Sequence, residues 1–341
     1  MRDIGALRTL METTPALAEE FTIGALPDVD TESAEEGFGI MVAGLPFGDS
    51  TFVQGKLKAK TDAVLEDNEK IADFLRSVSG QGLVPITIFC CQSLLQYEMQ
   101  NLAPEVLRPH LRRLDASLLK MLDPATGLTC LRGDDVDELL LRRARMPVRF
   151  KGLGLRSQEW IAPAAFVGGF LHSITAIAGE KRPDGSVCEG MNAPVAAWLT
   201  GPEPFDNATL ESRESRLDYF ANTSASSLAT TIKECWAEMR QRVNNPTLDR
   251  NDPSPLDYSV EAAGNLGEAL MTEKFQRGFT QQMERVASRR LHADFRALPP
   301  DDRRRLAYAQ ADSFSRQFVC SLPMEDTFTQ HPRGRPGDRG R

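Results

Sequence analysis

The sequence is poor in the residue patterns that usually announce a reaction. Its four histidines, at 110, 172, 292 and 331, are too scattered for a metal site, and no H-E-x-x-H, G-x-S-x-G or P-loop occurs. None of the six cysteines forms a C-x-x-C pair and no secretory signal opens the chain. They are therefore read as reduced, mostly buried thiols of an intracellular protein, nuclear or cytoplasmic. Basic residues are missing altogether from Thr9 to Gly55, a stretch with nine acidic ones. With a net charge of −8, the chain has no overall electrostatic grip on nucleic acid, so any such contact must be local. Charge of either sign is absent from Trp160 to Gly179, which is long enough to span a bilayer. Pro163, Gly168, Gly169, His172, Ser173 and Thr175 lower its apolarity, and the stretch is expected to be a helix buried in a protein core, with no membrane contact.

What is present is mainly helical periodicity. The 341 residues suffice for a sizeable core and allow two domains. Phe38–Leu45 reads as a short strand closed by a turn at Pro46–Asp49. Helices are expected over Thr51–Val78, Pro85–Asn101 and Pro104–Leu122. Asp135-Val-Asp-Glu138 has capping-box spacing and predicts a helix running to Arg145, before Pro147. Further helices are expected near 224–243, 262–297 and 300–321, the last started by Pro299-Pro-Asp-Asp302. The predicted class is mainly α, a thumb-like helical bundle with a short β-strand or hairpin near the N-terminus. The expected units are 1–50, 51–180, a linker at 181–206, 207–325 and a disordered basic tail at 326–341.

Two motif matches are weak. Gly152-Leu-Gly154 lacks the third glycine and the distal acid of a dinucleotide fingerprint. Gly133-Asp-Asp135 matches a metal-holding pair of some polymerases, but it opens an amphipathic helix, and capping explains it better.

The segment from Met146 to Phe170 carries more information. Met146-Pro-Val-Arg-Phe-Lys-Gly-Leu-Gly-Leu-Arg-Ser157, followed by Ala162-Pro-Ala-Ala-Phe166, resembles the region beyond the palm of non-LTR retrotransposon reverse transcriptases. That region reads L-P-x-R-x-G-G-L-G-L-R-S, then A-P-A-A-[YF]. Ala43-Gly-Leu-Pro-Phe-Gly-Asp49 is similar to the strand and turn that close the palm, and Asn101-Leu-Ala-Pro104 with Leu114-Asp115 to the thumb helices. Ala297-Leu-Pro-Pro-Asp-Asp-Arg303 and Phe318-Val-Cys-Ser-Leu-Pro323 resemble later segments of that family. The resemblance spans about residues 38–325 and is weak over 181–260. Lys151 departs from it, standing where the family has the first glycine of the Gly-Gly pair.

The resemblance implies a retroelement-derived thumb and connection that binds RNA or an RNA–DNA hybrid, partnered by an upstream palm and fingers polypeptide. The family's paired palm aspartates, in an [FY]-x-D-D motif, hold two Mg²⁺ ions. The residues before Phe38 contain only Pro27-Asp-Val-Asp30, so this chain alone is expected to be inactive and to hold no cofactor, Mg²⁺ belonging to the missing palm. The residues expected to grip the nucleic-acid backbone are Arg142, Arg143, Arg145, Arg149, Lys151 and Arg156, a run without an intervening acid. Two alternatives stand beside this. The arginines could pair with the acids at 134–138 or line a solvated helix face. The whole chain could also be a catalytically inactive helical scaffold that binds other proteins.

Overall fold

Ala43 and Gly44 both have positive φ, 47° and 79°, as a two-residue type I′ hairpin turn requires. They join strands β2 (Gly39–Val42) and β3 (Leu45–Gly48), paired antiparallel with Val42 opposite Leu45. The turn thus lies four residues earlier than the sequence suggested, and Pro46–Gly48 is strand. Pro46 is tolerated there because β3 is the edge of the three-stranded order β1-β2-β3, β1 being Thr22–Ile23. Asp49 then ends the hairpin. Its carboxylate accepts the Phe38 N–H at 2.6 Å and the Phe52 N–H at 2.8 Å, capping the first helix.

The structure is a computed structural model that describes residues 22–23, 37–78, 82–126, 136–181, 184–190, 205–206, 209–223, 227–243, 266–272 and 274–310. The described chain is mainly helical with this short hairpin near its N-terminus. The acidic residues between 12 and 36, Cys130, Asp134, Asp135, Phe318–Pro323 and the basic tail lie outside the described residues.

Helix α1 (Ser50–Val78) lies along α4 (Pro104–Thr126). Leu57, Thr61, Asn68 and Ala72 recur on one buried face of α1, against Leu107, Leu111, Leu114 and Leu118 of α4. Asn68 is the odd member: it is fully buried, and neither its amide oxygen nor its nitrogen has a partner among the described residues. A buried polar group left unpaired costs about 1–3 kcal/mol. Asn68→Leu, which keeps the branched four-heavy-atom side chain, is therefore expected to raise the unfolding free energy by about 1 kcal/mol, read from the urea midpoint; a lower midpoint would show that Asn68 is satisfied in solution.

The expected helix at 85–101 is broken. It forms α2 (Leu83–Phe89), a 3₁₀ turn at Cys91–Ser93 and α3 (Gln96–Asn101), with the backbone leaving helical values at Leu95. The break lets α2 lie on α4 while α3 meets α6 (Gln158–Ala178). The contact with α6 is close: a Cβ on Gly169 would stand 2.3 Å from the Gln100 carbonyl oxygen. Tertiary packing here overrides local helix propensity.

The charge-free stretch is α6, and its composition follows from its place. One side (Ile161, Ala162, Ala165) belongs to the core shared with α1 and α4. The other (Ala164, Phe166, Val167, Leu171, Ile174) belongs to a second core with α8 (Ser227–Val243), α9 (Leu266–Leu270) and α10 (Phe275–Ala297). A helix covered on opposite sides has little room for charge. By length and composition it could also cross a membrane, and 56% of its apolar window is buried inside the protein.

Three further departures from the sequence expectations occur. Strands β4 (Gly179–Lys181), β5 (Val187–Glu189) and β6 (Phe205–Asp206) form a small sheet, ordered β5-β4-β6, across the region expected to be a linker. Helix α7 (Leu210–Thr223) occurs where no helix was expected. The helix expected over 262–297 is two, α9 folding back on α10. The last described helix, α11 (Arg303–Gln310), starts where the Pro-Pro-Asp-Asp run places it. The Asp302 carboxylate accepts the Arg304 N–H at 2.8 Å.

Of the described cysteines, Cys91 and Cys235 are buried free thiols, pushed up by burial to about 11 and about 12. Cys90 is exposed and Cys188 half-buried, so the expectation of mostly buried thiols holds for only part of the set.

Candidate functional site

The basic run occupies helix α5 (Glu138–Arg145) and the loop from Met146 to Ser157. Asp137 caps α5, accepting the Leu139 and Leu140 N–H groups at 3.0 and 3.1 Å. The cap is thus the second aspartate of the Asp135–Glu138 box rather than the first. Pro147 then stops the helix, and the loop folds back on its end. The Ala144 carbonyl accepts from Leu153 and Leu155, the Met146 carbonyl from Gly154, and the Pro147 carbonyl from Phe150 and Gly152.

This folding makes steep demands at three positions. Lys151 has φ 64° and Gly154 φ 86°, both left-handed, and a Cβ on Gly152 would lie 1.9 Å from the Met146 carbonyl oxygen. Lys151 accepts that geometry because its ammonium donates to the Tyr308 carbonyl at 3.2 Å and sits 5.0 Å from the Tyr308 ring centre. Comparing Lys151→Gly with Lys151→Ala removes this tether from both and leaves only the backbone difference. The glycine variant is expected to be the more stable by about 1 kcal/mol, the reverse of the usual order; an alanine variant equal or better in a urea melt would contradict the left-handed geometry.

The loop hands over to α6 through Asp115 of α4. The Ser157 hydroxyl donates to Asp115 at 2.5 Å and accepts the Trp160 N–H at 3.3 Å, while the Gln158 N–H donates to Asp115 at 2.8 Å. Burial raises the pKa of the Asp115 carboxyl, and these donors partly offset the rise.

The six basic residues have different neighbours. The Arg142 guanidinium donates to Asp294 at 2.7 Å. Arg149 and Arg156 converge on Glu284, which is 1% exposed, at 2.8 and 2.7 Å. Arg143 donates to the Lys151 carbonyl at 3.1 Å and lies over the Tyr308 ring; burial lowers its pKa. With Lys151 it secures the loop against α11. Arg145 makes no ion pair or hydrogen bond among the described residues. Among the described residues, the carboxylates in ion pairs with this run, Asp294 and Glu284, come from α10. Asp137 pairs instead with Arg304, at 3.0 Å, and Asp134 and Asp135 lie outside the described residues.

Between α5, the start of α6, α8 and α10 lies an open cleft of about 800 Å³. Arg142, Arg145 and Arg156 line it, joined by Arg242 of α8 and Arg290 of α10, against two carboxylates, Glu138 and Glu284. Like Arg145, Arg290 makes no hydrogen bond or ion pair among the described residues; the Arg145 charge acts on the Asp115 carboxyl. Arg242 is fixed in place: it pairs with Glu238 at 2.5 Å, donates to the Trp160 carbonyl and lies 5.4 Å over the Trp160 ring. Arg143 and Lys151 do not line the cleft. A second, smaller recess of about 440 Å³ adjoins it, bordered by Arg149, Arg156 and several glutamines.

Sequence reasoning missed Arg242, Arg290 and Glu284, which lie far along the chain in helices of ordinary composition. No group of three or more His, Cys, Asp or Glu suited to a metal ion occurs among the described residues. Chemically, the cleft is equipped to hold anions by forked, permanently charged donors. No protein-family model, no curated protein and no solved structure matches the chain.

Proposed function

We propose that this chain is a helical nucleic-acid-binding module similar to the thumb and connection of non-LTR reverse transcriptases. It holds the sugar–phosphate backbone of RNA or an RNA–DNA hybrid in the arginine cleft. The observation that carries the reading is the convergence of five arginines from α5, the following loop, α8 and α10 on one cleft, two of them in no hydrogen bond or ion pair among the described residues. A guanidinium that lines open space without a hydrogen-bonded carboxylate, as Arg145 and Arg290 do, contributes little to packing, whereas a phosphate can take two N–H donors from it.

The loop supports the family reading independently. The family pattern has glycines at the positions of Lys151, Gly152 and Gly154. In this fold two of those positions are left-handed and the third has no room for a side chain. Asp115 and Ser157, which belong to separate motifs of that pattern, are in direct contact. No residue of this chain is assigned a catalytic role.

The test is a salt titration of binding to labelled RNA, offered both as a single strand and as an RNA–DNA hybrid. Arg145→Ala and Arg290→Ala are each expected to weaken binding irrespective of sequence and to lower the slope of log affinity against log salt by about one unit. Absence of binding at low salt, or slopes unchanged in both variants, would remove the reading.

A further inference from the structure

We infer that the cleft takes a single, unpaired strand, with phosphates on Arg145 and Arg290 and a base lying on the Arg242 guanidinium; the inference rests on the nucleic-acid reading above. Shape is the first argument. At about 800 Å³ the cleft has the size of a ligand pocket, roughly 300–1,000 Å³. A duplex carries its phosphates on the outside of a wide cylinder, and a protein that encloses one does so in a long basic channel. Here the arginines stand on facing walls, Arg142 and Arg145 from α5 and Arg290 from α10. Only a strand that enters the cleft reaches both walls.

The second argument is the platform. Arg242 lies over the Trp160 ring, and Glu238 and the Trp160 carbonyl fix its guanidinium plane. Burial lowers its pKa, the mark of a partly desolvated cation. A planar, weakly hydrated guanidinium already held in one orientation stacks on a nucleobase with little ordering cost, and in a duplex the neighbouring base pairs would cover that face.

The third is continuity. Arg156 borders both the cleft and the smaller recess, where Gln92, Gln96, Gln158 and Gln276 supply amides. Each amide can both donate and accept, as the edges of unpaired bases and sugar hydroxyls require. Arg149 and Arg277 also border the recess, so a strand that passes Arg156 meets cations on both sides and amides in addition on the far one.

The experiment compares three short labelled probes on the unaltered full chain: single-stranded RNA, a blunt RNA–DNA hybrid of the same sequence, and the single strand with its bases removed. The intact single strand is expected to bind about tenfold more tightly than either of the others, the size of one stacked base. Arg242→Lys, which keeps the charge and loses the plane, is expected to bring the intact strand down to the level of the base-free one. Hybrid bound as tightly as single strand, with salt dependence intact, would overturn this inference and leave the backbone reading standing. Equal binding of intact and base-free strands would overturn it too, and needs no variant if Arg242→Lys fails to fold. Absence of binding by all three probes at low salt would overturn both.

Discussion

Gly152→Ala is expected to lower the unfolding free energy by about 3 kcal/mol or more, read from the denaturant midpoint. The new methyl would stand 1.9 Å from the Met146 carbonyl oxygen and 2.6 Å from that of Arg143. Neither atom is the loose end of a side chain. The Met146 carbonyl accepts the Gly154 N–H at 2.8 Å, and the Arg143 carbonyl the Met146 N–H at 3.1 Å. Relief therefore means opening the turn that brings α5 back to α6. Nucleic-acid binding should fall with stability, since Arg142 and Arg145 are set on one side of this turn and Arg156 on the other. A variant with unchanged melting would show that the turn is looser than its hydrogen bonds indicate.

Glu284→Gln is expected to strengthen anion binding without loss of stability at neutral pH. The buried carboxylate occupies both Arg149 and Arg156. Neutralising it removes the negative charge that faces both guanidiniums and competes with phosphate, which should steepen the log–log salt slope by about one unit. On stability, burial pushes the carboxyl pKa above its usual range, and the two arginines offset this only in part. A raised folded-state pKa means that the folded protein binds the proton more tightly than the unfolded chain does. The associated stability is fully present below the usual carboxylate pKa and is lost as pH rises through the folded value. Glutamine resembles the protonated form at every pH. The variant's unfolding midpoint should match that of the unaltered protein in acid and equal or exceed it near neutrality. Asp115, also raised, is present in both proteins and leaves their difference unchanged. A shallower slope, or a midpoint that falls only near neutrality, would mean that the ion pair is a net stabiliser and its arginines are not available to a ligand.

The helices best read from the sequence are those whose one-sided periodicity matches one-sided burial, such as α1, with Leu57, Thr61 and Ala72 inward. Helix α6 was legible for a different reason, its lack of charge, because both cores claim it. Helix α7 was not, since Glu211, Arg213, Glu214, Arg216 and Asp218 crowd its length and blur any apolar stripe. The hairpin was legible as strand, but its turn was misplaced: Ala43 carries no turn signal, and Pro46 carries one that the edge strand overrides. At the cleft, the cations from Arg142 to Arg156 were visible because they are neighbours in sequence. Their partners were not. Glu284 lies 135 residues beyond Arg149 and Asp294 lies 152 beyond Arg142, and local spacing carries no information about pairs made by packing α10 onto α5.

The two-sided burial of α6 also governs how the chain can be made. Synthesis completes this helix at Ala178, while α8 and α10, which cover its second side, begin only at Ser227 and Phe275. At ribosomal speeds of about 5–20 residues per second, that side is uncovered for several seconds in every nascent chain. During that interval Phe166, Val167, Leu171 and Ile174 offer chaperones, or a bilayer, the surface that the finished protein reserves for itself.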